Sequence, residues 1–225
     1  MSRRFKPHME VLPPAQQSLW PELRHAPALG FTLYGGTAIA LRLGHRASVD
    51  FDFFSERPLD REAIKAAFPF AAKSTTLQDQ DNTWVILAPA GNTESERVKV
   101  SFFGTIAFGR VAEPDFTDDG VLQVASFDDL MATKVKVVLQ RAEAKDYRDV
   151  AAMLSAGVSL SRGLSSARLF FGPNFQPSES LKALVYFNDG DLAKLTAAEK
   201  AALVNAVKAV RDLPDVALVS KHLGA

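Results

Sequence analysis

The chain is expected to fold as an α+β protein. Its β-prone runs concentrate in the first half, and helical periodicity dominates after residue 126. That order fits an α+β arrangement better than a doubly wound sheet, which needs strand and helix to alternate throughout. With 225 residues, 47% of them hydrophobic, the chain is long enough for one large domain or a domain with a helical extension.

Residues 1–27 read as an N-terminal helix or arm punctuated by Pro13, Pro14, Pro21 and Pro27. Residues 31–34 are short, apolar and β-prone, the pattern of a buried strand. Thr37 is placed to cap a helix over 38–43, with Gly44 just past its end. Residues 49–54 form the next expected strand, and 60–68 a helix with Ala63, Ile64, Ala67 and Phe68 on one face. Strands follow at 84–88 and 97–103, with residues 91–92 suited to the turn of a hairpin, and 121–125 adds a further candidate strand. Ser126-Phe-Asp-Asp129 resembles a capping box ahead of a helix over 127–141. Further helices are expected at 145–154, 178–186 and 197–212, with a loop at 173–177. No internal repeat or low-complexity tract interrupts this order.

Composition narrows the function. No run approaches the roughly 18–20 apolar residues of a membrane span, and the basic start, Met-Ser-Arg-Arg-Phe-Lys, is followed by no apolar signal core. The chain has no cysteine, which excludes disulfides and thiolate metal sites. A cytoplasmic protein with no membrane partner is therefore expected. Lys+Arg and Asp+Glu both number 26, so a nucleic-acid partner would have to find a local basic patch.

The chemistry concentrates in residues 31–54. Gly35-Gly36 ends an apolar strand and opens a helix, which lets backbone N–H groups approach an anion and aims the positive helix end at it. Thr37 offers a hydroxyl beside them. Alone, Gly-Gly-Thr is equally an ordinary tight turn with a cap. Asp50 and Asp52 stand two apart on a strand, on one face and roughly 6.5–7 Å apart. Such a pair either sits on the polar face of an edge strand or shares a divalent cation such as Mg²⁺. Fourteen positions separate Gly36 from Asp50, enough for a two-turn helix and a return that brings bend and carboxylates to one cleft. Arg46 and Ser48, just before the strand, are positioned to meet phosphate oxygens, Arg46 through a forked hydrogen bond. The other reading of both is a polar loop.

A second group lies at 134–149. Lys134, Arg141 and Lys145 would share one face of a continuous helix, opposite Val135, Val138, Leu139 and Ala142. They form either a cationic wall for a polyphosphate or an ordinary solvated face. Asp146 and Asp149 either complement a helix N-terminus or orient Lys134 and the attacking group. His45 is a surface or hinge histidine, or a base.

Three blocks together, Gly35-Gly36-Thr37 with His45 to Phe54, Asp129-Leu-Met-Ala-Thr-Lys134, and Arg141 to Asp149, resemble the AbiEii-like nucleotidyltransferases of the abortive-infection toxin type, within the polymerase-β-like nucleotidyltransferase superfamily. Leu181 to Asp191 is a weaker match. The resemblance implies a mixed sheet flanked by helices over 1–125 with its N-terminal arm, and a helical region over 126–225 that completes the active site and binds an acceptor or partner. It implies transfer of an NMP from an NTP to an acceptor hydroxyl, with relatives that modify the 3′ end of tRNA or pair as toxins with a cognate antitoxin. By that likeness Asp50 and Asp52 hold Mg²⁺ or Mn²⁺, Gly35 and Gly36 cradle the triphosphate, Lys134 binds phosphate, and Asp146 belongs to the last active-site motif. One departure stands out. Where many superfamily members carry a third carboxylate, the strand at 97–103 offers Ser101. Either two carboxylates suffice, or Asp146 fills the gap, or the chain is an inactive nucleotide-binding or partner-binding relative.

Overall fold

The computed structural model describes residues 3–90 and 96–225. The turn expected at 91–92 lies outside the described residues. The described strands are β1 (Arg4–Phe5), β2 (Thr32–Tyr34), β3 (Asp50–Phe54), β4 (Thr75–Gln80), β5 (Thr83–Pro89), β6 (Arg97–Phe103), β7 (Asp115–Thr117) and β8 (Gln123–Val124). They form one mixed sheet in the order β1-β7-β8-β2-β3-β6-β5-β4. The α-helices are α1 (Pro14–Leu19), α2 (Gly35–Leu43), α3 (Arg61–Ala67), α4 (Pro69–Ala72), α5 (Phe127–Val137), α6 (Ala144–Ser155), α7 (Leu160–Phe171), α8 (Pro177–Val185) and α9 (Ala197–Ala209). The α+β architecture with a helical second half is as the sequence predicts.

Strict alternation along β3 gives the sheet two unlike faces. Phe51 and Phe53 are fully buried on one side, where they join Phe31, Phe102, Phe68 and Trp20 in a connected set of ring contacts. Six large aromatic surfaces removed from water are a dominant apolar contribution to the fold. The carboxylates of Asp50 and Asp52 necessarily emerge on the opposite side. β3 pairs antiparallel to β2, with Tyr34 opposite Asp52, and parallel to β6, with Asp50 opposite Lys99 and Asp52 opposite Ser101. Helices α2, α5 and α6 pack against one another.

Three local expectations need correction. Helix α2 begins at Gly35 rather than 38, its cap position is Tyr34, and no side chain caps it. Thr37 is therefore inside the helix, and its hydroxyl serves other partners. The helix from Ser126 ends at Val137, with 138–143 a separate turn before α6. Two valines in its last four positions, Val135 and Val137, and Val138 beyond give poor helix propensity there. Lys134 and Lys145 thus stand on different helices, with Arg141 between them, so no single helical face unites the three. The exposed strand β4 has no apolar signature, whereas helix α7 buries Leu160, Leu164 and Ala167 at helical spacing; both are absent from the sequence reading.

α7 docks on α5 through Gly163, where an added Cβ would lie 2.2 Å from Met131 Cγ and 3.0 Å from its Cβ. Gly163→Val should lower unfolding free energy by about 1–3 kcal/mol through overpacking, measured by urea denaturation with an unchanged slope.

Candidate active site

The bend at Gly35-Gly36 has no room for side chains. At Gly35 (φ +73°) an added Cβ would lie 2.6 Å from Asp52 Oδ2, and at Gly36 it would lie 2.2 Å from an Arg46 guanidinium nitrogen. The bend therefore presses directly on one of the two β3 carboxylates, at the start of a nine-residue helix whose first-turn amides have no side-chain cap. Those N–H groups carry the positive end of the helix dipole.

Gly36, Thr37, Arg46, Ser48, Asp50, Asp52, Lys134 and Asp146 line one cleft. The structure thus brings together all the predicted site residues except Gly35, which lines the adjoining groove with Gly36, Asp50, Asp52 and Lys134. That groove encloses about 570 Å³, within the roughly 300–1,000 Å³ of small-molecule sites. Its far end is more apolar, formed by Phe54, Leu77, Val85, Phe103 and Val137.

Behind the cleft lies a buried ionic cluster. Lys134 Nζ is 2.6 Å from Asp146 Oδ1 and 2.7 Å from Asp149 Oδ2, and both carboxylates are wholly buried. Arg46 donates from Nε to Asp149 Oδ1 at 2.6 Å and from its terminal nitrogen to Oδ2 at 2.9 Å. Arg141 Nε donates to Asp146 Oδ2 at 2.7 Å. His45 Nε2 lies 2.8 Å from Asp149 Oδ1. The cluster ties α5, α6 and the 44–49 loop into one unit. Burial alone would raise the Asp149 carboxyl, but the charge on Lys134 and the bonds from His45 and Arg46 hold it well below the usual carboxylate range. Asp146 is lowered in the same way, burial being outweighed by Arg141 and Lys134. The fork of Arg46 is thus spent on Asp149, and the imidazole of His45 is directed there too.

The carboxylate pair has a different environment. Burial raises the Asp52 carboxyl, opposed by a hydrogen bond from Ser101 and the charge on Lys99. Lys99 Nζ stands 3.2 Å from Asp50 Oδ2. Ser48 and Thr37 hydroxyls lie 2.7 Å apart, and Thr37 donates to the Asp50 carbonyl oxygen. These two buried hydroxyls pin α2 to the start of β3.

Sequence reasoning missed Lys99 altogether, because its meeting with Asp50 depends on strand register between segments far apart in the chain. Asp149, to which the resemblance assigns no role, gathers Lys134, Arg46 and His45. Asp191, at the end of the weaker-matching segment 181–191, also serves the site. Its carboxylate accepts from Ala144 N at 2.6 Å, so a distant loop caps α6 and steadies the turn carrying Arg141 and Asp146.

Because the Asp149 carboxyl is lower in the folded than in the unfolded chain, it contributes stability above its unfolded value, near 3.9, and loses it as pH falls through the folded one. Asp149→Asn should cost about 3–5 kcal/mol at pH 7. Thermal melts between pH 7 and pH 2 should also show a shallower acid loss than the wild type.

Comparison with known proteins gives three findings. The family model described as nucleotidyl transferase AbiEii toxin, Type IV TA system, matches residues 22–217. A protein of Aquifex aeolicus (strain VF5), described as uncharacterized, is 30% identical over 162 residues, covering 71% of this chain and 74% of its own. The structure of MenT4, a nucleotidyltransferase toxin from Mycobacterium tuberculosis H37Rv, superposes with a TM-score of 0.49 and 13% identity, over 85% of this chain and 91% of that one.

Proposed function

The chain belongs to the AbiEii nucleotidyltransferase toxin family, and from that premise we propose how its cleft moves a nucleoside monophosphate from an NTP to an acceptor hydroxyl. The acceptor oxygen attacks the α-phosphorus, the bond from that phosphorus to the bridging oxygen of the β-phosphate breaks, and pyrophosphate leaves as the acceptor proton passes to solvent. The observation that carries the reading is the contact between the Gly35-Gly36 bend and Asp52, which sets an anion-binding helix end against a carboxylate pair.

Gly35 and Gly36 offer their amides to the triphosphate, and the uncapped first turn of α2 adds its dipole. Thr37 and Ser48 hold that turn against β3, and Arg46 and Lys134 add positive charge at its side. Asp146 fixes Lys134 and Arg141 on this wall. The donor set suits a hard divalent cation. Asp50 and Asp52 present oxygen ligands on one face of β3 and line the same cleft as Gly36 and Lys134. Mg²⁺ or Mn²⁺ held there would neutralise phosphate oxygens and polarise the α-phosphorus. The remaining work is positioning and electrostatics by the chain itself.

Residues 1–125 would then supply the donor site with its N-terminal arm. The helical region 126–225 would complete it and present a surface to the acceptor, an RNA such as the 3′ end of tRNA, or to a cognate antitoxin. No helix among the described residues is long and apolar enough to cross a membrane.

Asp50→Asn and Asp52→Asn should each reduce transfer of label from an α-labelled NTP by about 10²-fold or more, while circular dichroism and melting temperature stay near wild type. Wild-type transfer by the double variant would refute the assignment. Offering each α-labelled NTP with total tRNA, and separately with small hydroxylated compounds, tests the acceptor: label in the RNA alone is expected.

A further inference from the structure

The carboxylate pair shares its face of the sheet with a built-in cation. Parallel pairing of β3 with β6 sets Asp50 against Lys99 and Asp52 against Ser101. Lys99 Nζ lies 3.2 Å from Asp50 Oδ2, and the two side chains are 40% and 33% exposed, so the contact opens onto the groove. The neighbouring cations are directed elsewhere: Lys134 to Asp146 and Asp149, Arg46 to Asp149, Arg141 to Asp146. Among the described residues, no group of three or more His, Cys, Asp or Glu is placed to hold a metal.

Charge decides what this face can accommodate. Two carboxylates offset by one ammonium leave a single negative charge. One divalent ion reverses that sign, and phosphate oxygens can complete its shell. A second ion, as in two-metal phosphoryl-transfer sites, would need another carboxylate, and the position beside Asp52 holds a serine. We propose that Lys99 stands where a second divalent ion would bind, so that this protein works with one ion at Asp50 and Asp52 and supplies the other positive charge from its own chain. The proposal rests on the metal reading above and adds to it a stoichiometry and a role for Lys99. Lys99 acts through Asp50, as a positioning residue.

Mn²⁺ alone is the probe, with free ion followed by electron paramagnetic resonance during titration of the full chain. Wild type and Lys99→Arg should take up one ion each, and Asp50→Asn/Asp52→Asn none. Lys99→Gln should bind Mn²⁺ at least about tenfold more tightly than wild type, because an ammonium no longer competes for Asp50. Its melting temperature should barely move, since so exposed an ion pair contributes little to stability. Two ions in wild type, both lost in the double aspartate variant, would overturn the proposal and leave the metal reading intact. Affinity in Lys99→Gln within twofold of wild type would do the same, reducing the contact to an ordinary surface pair. No uptake by wild type or by Lys99→Gln would overturn the proposal together with the metal reading.

Discussion

The site depends on one buried ammonium. Lys134 on α5 is shared by two carboxylates of α6, and those carboxylates in turn hold Arg46 and Arg141. An uncompensated charge at that depth would be very costly, so each member requires the others. The outcome is geometric as well as energetic. The helical second half is fastened to the 44–49 loop at the point where α2 turns back into β3. Nothing else described in the site joins α5, α6 and that loop through charges so fully withdrawn from water.

This cluster also sorts the charges of the cleft. Three cations face two aspartates at its rear, leaving that wall net positive, while Asp50 and Asp52 make the sheet side net negative apart from Lys99. A polyphosphate and its counter-ion want that division. The Gly35-Gly36 bend lies at the boundary, and the absence of both Cβ atoms is what lets helix amides, Asp52 and the Arg46 guanidinium converge. A helix start, a strand face and an ion cluster, each common by itself, meet in one cleft, which is what the proposed binding site requires.

Much of this was legible in the sequence because it is local. Period-2 alternation in Asp50-Phe-Asp-Phe-Phe put both carboxylates on one face, and Gly-Gly before an amphipathic stretch marked a turn into a helix. The grouping of Lys134 with Asp146 came through the family resemblance, since twelve intervening residues do not dictate a reversal. Local propensity explains the failures too. Valines that look like a helical stripe ended the helix at Val137, and the uninterrupted cationic face expected over 134–145 does not exist. The pairing of Lys99 with Asp50 and the capping of α6 by Asp191 arise from tertiary register, which single-chain patterning does not encode. The exposed, polar strand β4 is held by pairing with β5 and by Arg61, which reaches Asp79 and the Gln80 carbonyl, and has no buried face to leave a signature.

The most direct test of the account is a crystal structure of the chain with Mn²⁺ and a non-hydrolysable NTP. Anomalous scattering should place one ion between the carboxylates of Asp50 and Asp52, with the β- and γ-phosphates on the amides of residues 35–37. An ion or polyphosphate bound away from that bend, with the two aspartates uninvolved, would contradict the account.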